Sequence, residues 1–250
     1  MAEFLRGIVI RARPVVACAA MSEAGNENGR GAATLAPGRI RHVIWDWNGT
    51  LVDDADACVE ALNRIGKPRG MPAVTPGEYR RLFGFPVRAY YERLGFDFTV
   101  EDWDSVSREY HRHYRETSRA SPLRSDAVPA LDALRAAGIA MSVLSAAEIG
   151  ILERMIGERG IRGYFARLAG LSDLYAHSKL DIGRDLVRGS GIAAAATLVV
   201  GDTTHDHEVA AELGCACALV AGGHQSEERL RRCGCLVVGN LSDLVRRLVP

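Results

Sequence analysis

The chain has 250 residues, with 31 Lys plus Arg balanced by 31 Asp plus Glu, and 48% of its residues are hydrophobic. That length suffices for one sizeable α/β core carrying an inserted module, without disulfides. The neutral balance gives no global pull toward nucleic acid or anionic lipid. No apolar run reaches the roughly 20 residues of a transmembrane helix, so neither a nucleic acid nor a membrane is an expected partner.

In chain order, residues 1–38 read as a flexible tail. Arg11, Arg13 and Pro14 break the apolar opening, which argues against a signal peptide, and the following S-E-A-G-N-E-N-G-R-G has little to bury. Met21 is an alternative translation start within it. The first strand is expected at His42–Trp45. Residues 54–125 then exceed any ordinary crossover and read as a separate helical module. Its apolar anchors at helical spacing include Leu62, Tyr79, Leu82, Phe83, Tyr90, Tyr91, Leu94, Trp103, Val106 and Tyr110. Beyond it, helices are expected at Ala127–Ala137, Ile149–Arg159, Lys179–Gly189, His207–Gly214, Ser226–Cys233 and Leu241–Leu248. They alternate with short, nearly continuous apolar strands at Ala140–Leu144, Ala166–Ala169, Thr197–Gly201, Ala216–Val220 and Leu236–Val238. Such runs suit strands covered on both faces, so the fold class is α/β: a doubly wound, Rossmann-like parallel sheet from 39–53 and 126–250 with an inserted helical unit.

Six cysteines, Cys18, Cys58, Cys215, Cys217, Cys233 and Cys235, include two C-x-C pairs. Converging pairs can hold a metal, but these flank apolar runs where buried, reduced thiols are the commoner state, as in a cytoplasmic protein. The basic and aromatic run at 108–116 is interrupted by Glu109 and Glu116 and reads as a solvated helix. Lys67 sits at a helix end and reads as a solvated lysine.

The chemistry begins where the first strand ends. In W-D-W-N-G-T-L-V-D-D, Asp46 emerges at the carboxyl edge of a parallel strand, where such sheets bind ligands, and Gly49 lets the chain turn closely. G-D-T-T-H-D repeats the arrangement with Asp202 and, one helical turn later, Asp206. Clustered carboxylates need a cation, and hard oxygen ligands suit Mg²⁺. Ser145 closes the second strand, where its hydroxyl and the neighbouring N–H groups can donate to an anion at a helix start. Lys179 opens a later helical segment and can supply a positive charge.

These segments, in this order, resemble the haloacid dehalogenase superfamily, specifically its phosphoglycolate phosphatase-like members, over residues of about 40–250. The resemblance implies that Asp46 attacks phosphorus and that Asp46, the Asn48 backbone carbonyl and Asp202 hold Mg²⁺. It implies further that Gly49, Thr50, Ser145, Ala146 and Lys179 bind the phosphoryl group, with Thr203 and Asp206 in support, and that 54–125 is a cap over small substrates. One position departs: the family's phosphatases usually carry aspartate where this chain has Asn48. An amide orients by hydrogen bonding but exchanges no proton at neutral pH. Good leaving groups, as in acyl or nitrophenyl phosphates, then suffer least; His205 and His207 are nearby candidates for a substitute base, and read equally as solvent-facing or helix-capping histidines. Arg88 is a candidate for a second substrate anion, and His224 and Gln225 lie in a strand-end loop that can reach the site. The expected protein is a Mg²⁺-dependent hydrolase, a monomer or homodimer, acting on a small phosphorylated metabolite. The alternative is a phosphate-binding or regulatory protein that turns over little because of Asn48.

Overall fold

A computed structural model describes residues 38–172 and 179–249, all within one unit spanning Ala32–Pro250. The expected tail, apart from Gly38, lies outside the described residues, together with Met21 and Cys18. The chain runs β1 (His42–Trp45), α1 (Ala55–Gly66), α2 (Pro76–Leu82), α3 (Val87–Leu94), α4 (Trp103–Thr117), α5 (Ala127–Ala136), β2 (Ala140–Glu148), α6 (Ile149–Glu158), β3 (Arg167–Leu171), α7 (Leu180–Ser190), β4 (Thr197–Gly201), α8 (Thr204–Leu213), β5 (Ala216–Val220), α9 (Glu227–Arg231), β6 (Leu236–Val238) and α10 (Leu241–Leu248). Among the described residues, no helix is long and apolar enough to cross a membrane.

The described strands form one six-stranded sheet in the order β3-β2-β1-β4-β5-β6, every neighbouring pair parallel. Alternation along the strands feeds two faces. Val43, Trp45, Met141, Val143, Leu198 and Val200 pack toward α5, α6 and α10, whereas Ile44, Leu144 and Val199 meet Leu186, Val209 and Ala210 from α7 and α8. Burying both faces is what makes these strands uninterrupted apolar runs.

Between β1 and α5, helices α1–α4 carry their own apolar cluster, with Cys58, Val59, Leu62, Ile65, Tyr79, Tyr90, Tyr91, Phe96 and Val106 at its centre. Leu82, expected among its anchors, instead lies 43% exposed. Asp102 caps α4 by accepting the Ser105 N–H at 2.8 Å, and Thr75 and Glu78 close a capping box on α2.

Two boundaries differ instructively from expectation. β2 continues past Leu144 to Glu148 through an irregularity in its pairing with β3, so Ser145 lies within a strand and not at a helix start. The α6 N-terminus is taken up by the Glu148 carboxylate, which accepts the N–H groups of Gly150 and Ile151, each at 2.9 Å. That end therefore offers no free anion site. α8 begins at Thr204, earlier than the expected His207, because the Thr203 N–H and hydroxyl both donate to Asp206 Oδ2 and fix the first turn.

Candidate active site

Strand order reverses at the centre of the sheet: β1 leads outward to β2 and β3, β4 outward to β5 and β6. The loops beyond β1 and β4 consequently diverge and leave a crevice at their carboxyl ends. Asp46 lies just beyond β1, still tied to the sheet by its N–H donating to the Val200 carbonyl at 2.8 Å, and Asp202 lies just beyond β4. Gly49 makes the approach possible. Its φ is +73°, and a Cβ there would fall 2.4 Å from Asp202 Oδ2.

Carboxylate oxygens of Asp46, Asp202 and Asp206 lie within 4.8 Å of one another. Lys179, at the N-cap of α7 and 3% exposed, donates to Asp46 Oδ1 at 2.5 Å, Asp206 Oδ1 at 2.7 Å and the Leu144 carbonyl at 3.2 Å, which engages all three of its protons. Burial alone would lower the Lys179 pKa, but Asp206 and Asp46 hold it above the ordinary lysine range. Asp206 spends its other oxygen on Thr203, and although burial alone would raise its pKa, Lys179 and Thr203 keep it below the usual carboxylate range. Asp46 and Asp202 move the other way. Burial, with the neighbouring carboxylates, pushes Asp46 up to about 7 and Asp202 up to about 6. One ammonium among three crowded carboxylates leaves unneutralised negative charge, and the donors are all hard oxygens, so the cluster fits a divalent cation such as Mg²⁺.

Asn48 is tied to a residue that sequence reasoning passed over. Its Nδ2 donates to Asp54 Oδ2 at 2.6 Å and to the Tyr114 hydroxyl at 2.7 Å; Tyr114 in turn donates to Asp54 Oδ2 at 2.5 Å. An ionised carboxylate only accepts, so the amide must turn its NH₂ toward Asp54, and both its hydrogens are committed. Asp54 is fully buried. Its Oδ1 accepts the Gly49 N–H at 2.8 Å and faces His224 Nε2 at 3.5 Å, while His224 Nδ1 meets the Tyr79 hydroxyl at 2.9 Å. Burial alone would lower the His224 pKa, but Asp54 and the other nearby carboxylates push it up to about 9. Asp54, Cys58 and His224 also bring ligand-type atoms within 4.8 Å of one another. The signal that could have found Asp54 is the Asp53-Asp54 doublet at the entry to α1.

The expected residues distribute as follows. Asp46, Asn48, Ser145, Ala146, Lys179, Thr203 and Asp206 line one cavity of about 470 Å³, with aromatic side chains of α2–α4 opposite. Ser145 Oγ accepts the Ala147 N–H at 3.1 Å, leaving its hydroxyl proton free to donate. Gly49 and Thr50, expected at the substrate, do not line that cavity. Thr50 is fully buried and its hydroxyl donates to Asp202 Oδ1 at 2.9 Å, so it holds the acidic cluster together. Arg88 also lies elsewhere: exposed on α3, it pairs with Glu92 at 3.2 Å and covers the Phe98 ring. Its chemistry is spent within the insertion. Arg80 donates to the Gly223 carbonyl at 3.0 Å. His224 lines the cavity, whereas Gln225 accepts the Thr204 N–H at 2.8 Å and donates to the Phe83 carbonyl at 3.1 Å, joining α8 to the insertion. His205 is stacked on Phe85, 4.6 Å between ring centres, and faces Glu208 at 3.3 Å. Cys217 and Cys235 adjoin on β5 and at the start of β6. The described clusters of three potential metal ligands include neither of them.

Comparison with known proteins matches residues 43–220 to the profile of the haloacid dehalogenase-like hydrolases. A phosphoglycolate phosphatase of Aquifex aeolicus is 27% identical over 188 residues, covering 74% of this chain and 86% of its own. A 5'-nucleotidase of Pseudomonas aeruginosa is likewise 27% identical over 202 residues, covering 77% of this chain and 88% of its own. Among solved structures, a haloacid dehalogenase-like hydrolase from Streptococcus pneumoniae superimposes with a TM-score of 0.68 at 20% identity, covering 83% of this chain and 98% of its own.

Proposed function

The chain belongs to the haloacid dehalogenase-like hydrolases, and we propose that it is a Mg²⁺-dependent phosphatase acting on a small phosphorylated metabolite through an aspartyl-phosphate at Asp46. The observation that carries this reading is the grouping of Asp46, Asp202 and Asp206 at the sheet's switch point, with Lys179 bonded to Asp46 and Asp206. Asp46 is the nucleophile: of the three acids it is the one 9% exposed, and it lines the cavity where a phosphoryl group would sit. Asp46, Asp202 and the Asn48 backbone carbonyl would hold Mg²⁺, which would neutralise charge on the transferring phosphoryl oxygens. Lys179, freed from Asp46 by the incoming phosphate, and the Ser145 hydroxyl donate to the same oxygens. Asp206 holds Lys179 in place, and Thr203 holds Asp206. The insertion at 54–125 acts as the cap that excludes water from this chamber.

A phosphate-binding protein with little turnover is the second reading, favoured by one observation: Asn48, whose amide exchanges no proton at neutral pH, has even its hydrogen-bonding NH₂ committed to Asp54 and Tyr114. Phosphate release from a panel of phosphate esters, with and without Mg²⁺, separates the two. Turnover that requires Mg²⁺ and vanishes in Asp46→Asn, with hydroxylamine trapping an acyl-phosphate on the wild-type protein, is the expected result. Release that survives loss of Asp46 refutes the nucleophile, and Mg²⁺-dependent phosphate binding without any release establishes the second reading.

A further inference from the structure

We infer that the substrate is a small phenolic phosphate, an ester of an acidic aromatic hydroxyl; this rests on the phosphatase reading above and names its leaving group. Two independent features meet in that chemistry. The first is the wall facing Asp46. Phe83, Phe85, Tyr90, Tyr110 and Tyr114 line the chamber from the insertion, and Ile151 and Met155 contribute from α6. Phe83 and Phe85 are half-buried with ring centres 5.7 Å apart at 70°, an edge-to-face pair left partly open toward the chamber. A cavity of about 150 Å³ accommodates a benzene ring, so the 470 Å³ here leaves room for an aromatic body beyond the phosphoryl group.

The same chamber is poorly made for a short dianionic substrate. Among the described residues its arginines Arg115, Arg119 and Arg154 are exposed, with Glu116, Glu148 and Glu158 lining it beside them. Arg159 is spent on the Met155 and Ser121 carbonyls. His224, a buried cation on the same lining, is spent on Asp54 and the Tyr79 hydroxyl, so among the described residues no uncommitted inward-facing cation is left to select a second anion.

The second feature is the missing proton. Asn48 has given both amide hydrogens to Asp54 and Tyr114, so its Oδ1 is the polar atom that remains, and it can only accept. Asn48 thus protonates no leaving oxygen, and His224 on the same lining has its ring nitrogens against Asp54 and the Tyr79 hydroxyl, so the leaving oxygen departs as an anion. A phenol is more acidic than water by roughly six pK units, and alkyl alcohols lie near water, so a phenolate can leave where an alkoxide cannot. In the first step an Asp46 carboxylate oxygen bonds to phosphorus and the P–O(aryl) bond breaks, its electron pair leaving on the phenolate. In the second, the oxygen of a water molecule bonds to phosphorus and the Asp46–phosphorus bond breaks with its pair returning to Asp46. One water proton reaches the phenolate through solvent and the other stays on hydrogen phosphate.

The test compares kcat/KM for phenyl phosphate, 2-phenylethyl phosphate, acetyl phosphate and phosphoglycolate at saturating Mg²⁺. Phenyl phosphate should exceed 2-phenylethyl phosphate by about 10² or more, the factor a missing general acid withholds from a poor leaving group, and should also exceed acetyl phosphate and phosphoglycolate. Phe85→Leu should raise KM for phenyl phosphate about 5- to 10-fold and KM for acetyl phosphate by a clearly smaller factor, a split that general loosening of the fold would not give. Equal rates on phenyl and 2-phenylethyl phosphate, or a preference for phosphoglycolate or acetyl phosphate, overturn the inference while leaving the phosphatase reading intact. Absence of release from all four substrates fails that earlier reading instead.

Discussion

Asn48→Asp is the substitution whose outcome the geometry defines most sharply. It replaces the NH₂ that lies 2.6 Å from Asp54 Oδ2 with an oxygen, placing two carboxyl groups in direct contact inside a region where Asp54 is fully buried. Burial alone would push Asp54 up, but hydrogen bonds and charge from His224, with help from Tyr114 and Asn48, hold it below the ordinary carboxylate range in the native chain. Two contacting carboxylates cannot both ionise there, so the pair retains one proton, and the introduced group's pKa rises far above its unfolded value near 3.9. A group raised on folding contributes stability that is complete below its unfolded pKa and is lost as pH rises through the folded one. Holding one proton costs about 1.4 kcal/mol for each pH unit above the unfolded pKa, or about 4 kcal/mol between pH 5 and pH 8. Urea denaturation of both proteins at pH 5, 6, 7 and 8 should thus show a stability gap that widens with pH at close to that slope. The retained proton is also a general acid, so turnover of 2-phenylethyl phosphate should rise in the variant at pH 5–6. A gap independent of pH would refute the contact between Asn48 and Asp54, and with it the account of how the amide is oriented.

Other expectations follow from the same cluster. Asp46 and Asp202 are raised to about 7 and about 6, so without metal the native state binds more protons than the unfolded chain between pH 4 and 7 and loses stability as pH rises. Mg²⁺ bound at these acids would replace those protons, and the shift it causes in thermal midpoint should grow from pH 5.5 to pH 8; a shift that shrinks with pH would contradict ligation by these acids. Asp206→Ala strips Lys179 and Thr203 of a buried partner and should cost about 3 kcal/mol or more in urea denaturation, whereas a loss below 1 kcal/mol would mean that the ion pair does not persist in solution. Gly49→Ala places a Cβ 2.4 Å from Asp202 Oδ2 at φ +73°, so Mg²⁺ affinity measured by calorimetry should fall at least tenfold; unchanged affinity would show that the two loops can part without consequence.

The sheet was legible because burial on both faces writes each strand as an apolar run, as in V-I-W and T-L-V-V-G, and its carboxyl ends announce Asp46 and Asp202. Lys179 was legible through its polar setting at the start of a helical segment. What escaped were contacts between elements distant in sequence. Nothing in the spacing of Asp54, Tyr114 and His224 says that they meet, since each is also a commonplace polar residue of a helix or loop. Arg88 misled for the complementary reason. A cation near an aromatic segment suits a substrate anion, but Glu92 one turn further along the same helix is a nearer partner. The continuation of β2 to Glu148 was hidden because S-A-A-E carries little β-branched character, and the glutamate that caps α6 reads equally well as a surface residue.

The polar groups that set Asn48 come from both parts of the fold, and that has a measurable consequence. Tyr114 belongs to α4 and Tyr79 to α2, and their hydroxyls reach Asp54, where the insertion begins, and His224, in the core loop after β5. Asn48 and Tyr114 share Asp54 Oδ2 as acceptor and are bonded to each other, so neither hydrogen bond has its full value alone. Tyr114→Phe deletes one donor to a buried carboxylate, which should cost about 1.5–3 kcal/mol. Asn48→Ala deletes a second. If the three groups act as one network, the double variant should lose less than the sum of the single losses by at least about 0.5 kcal/mol, because each single change has already released part of the shared geometry. Strict additivity in urea denaturation would mean that Asp54 orients the amide independently of Tyr114, and α4 would then have no hold on Asn48.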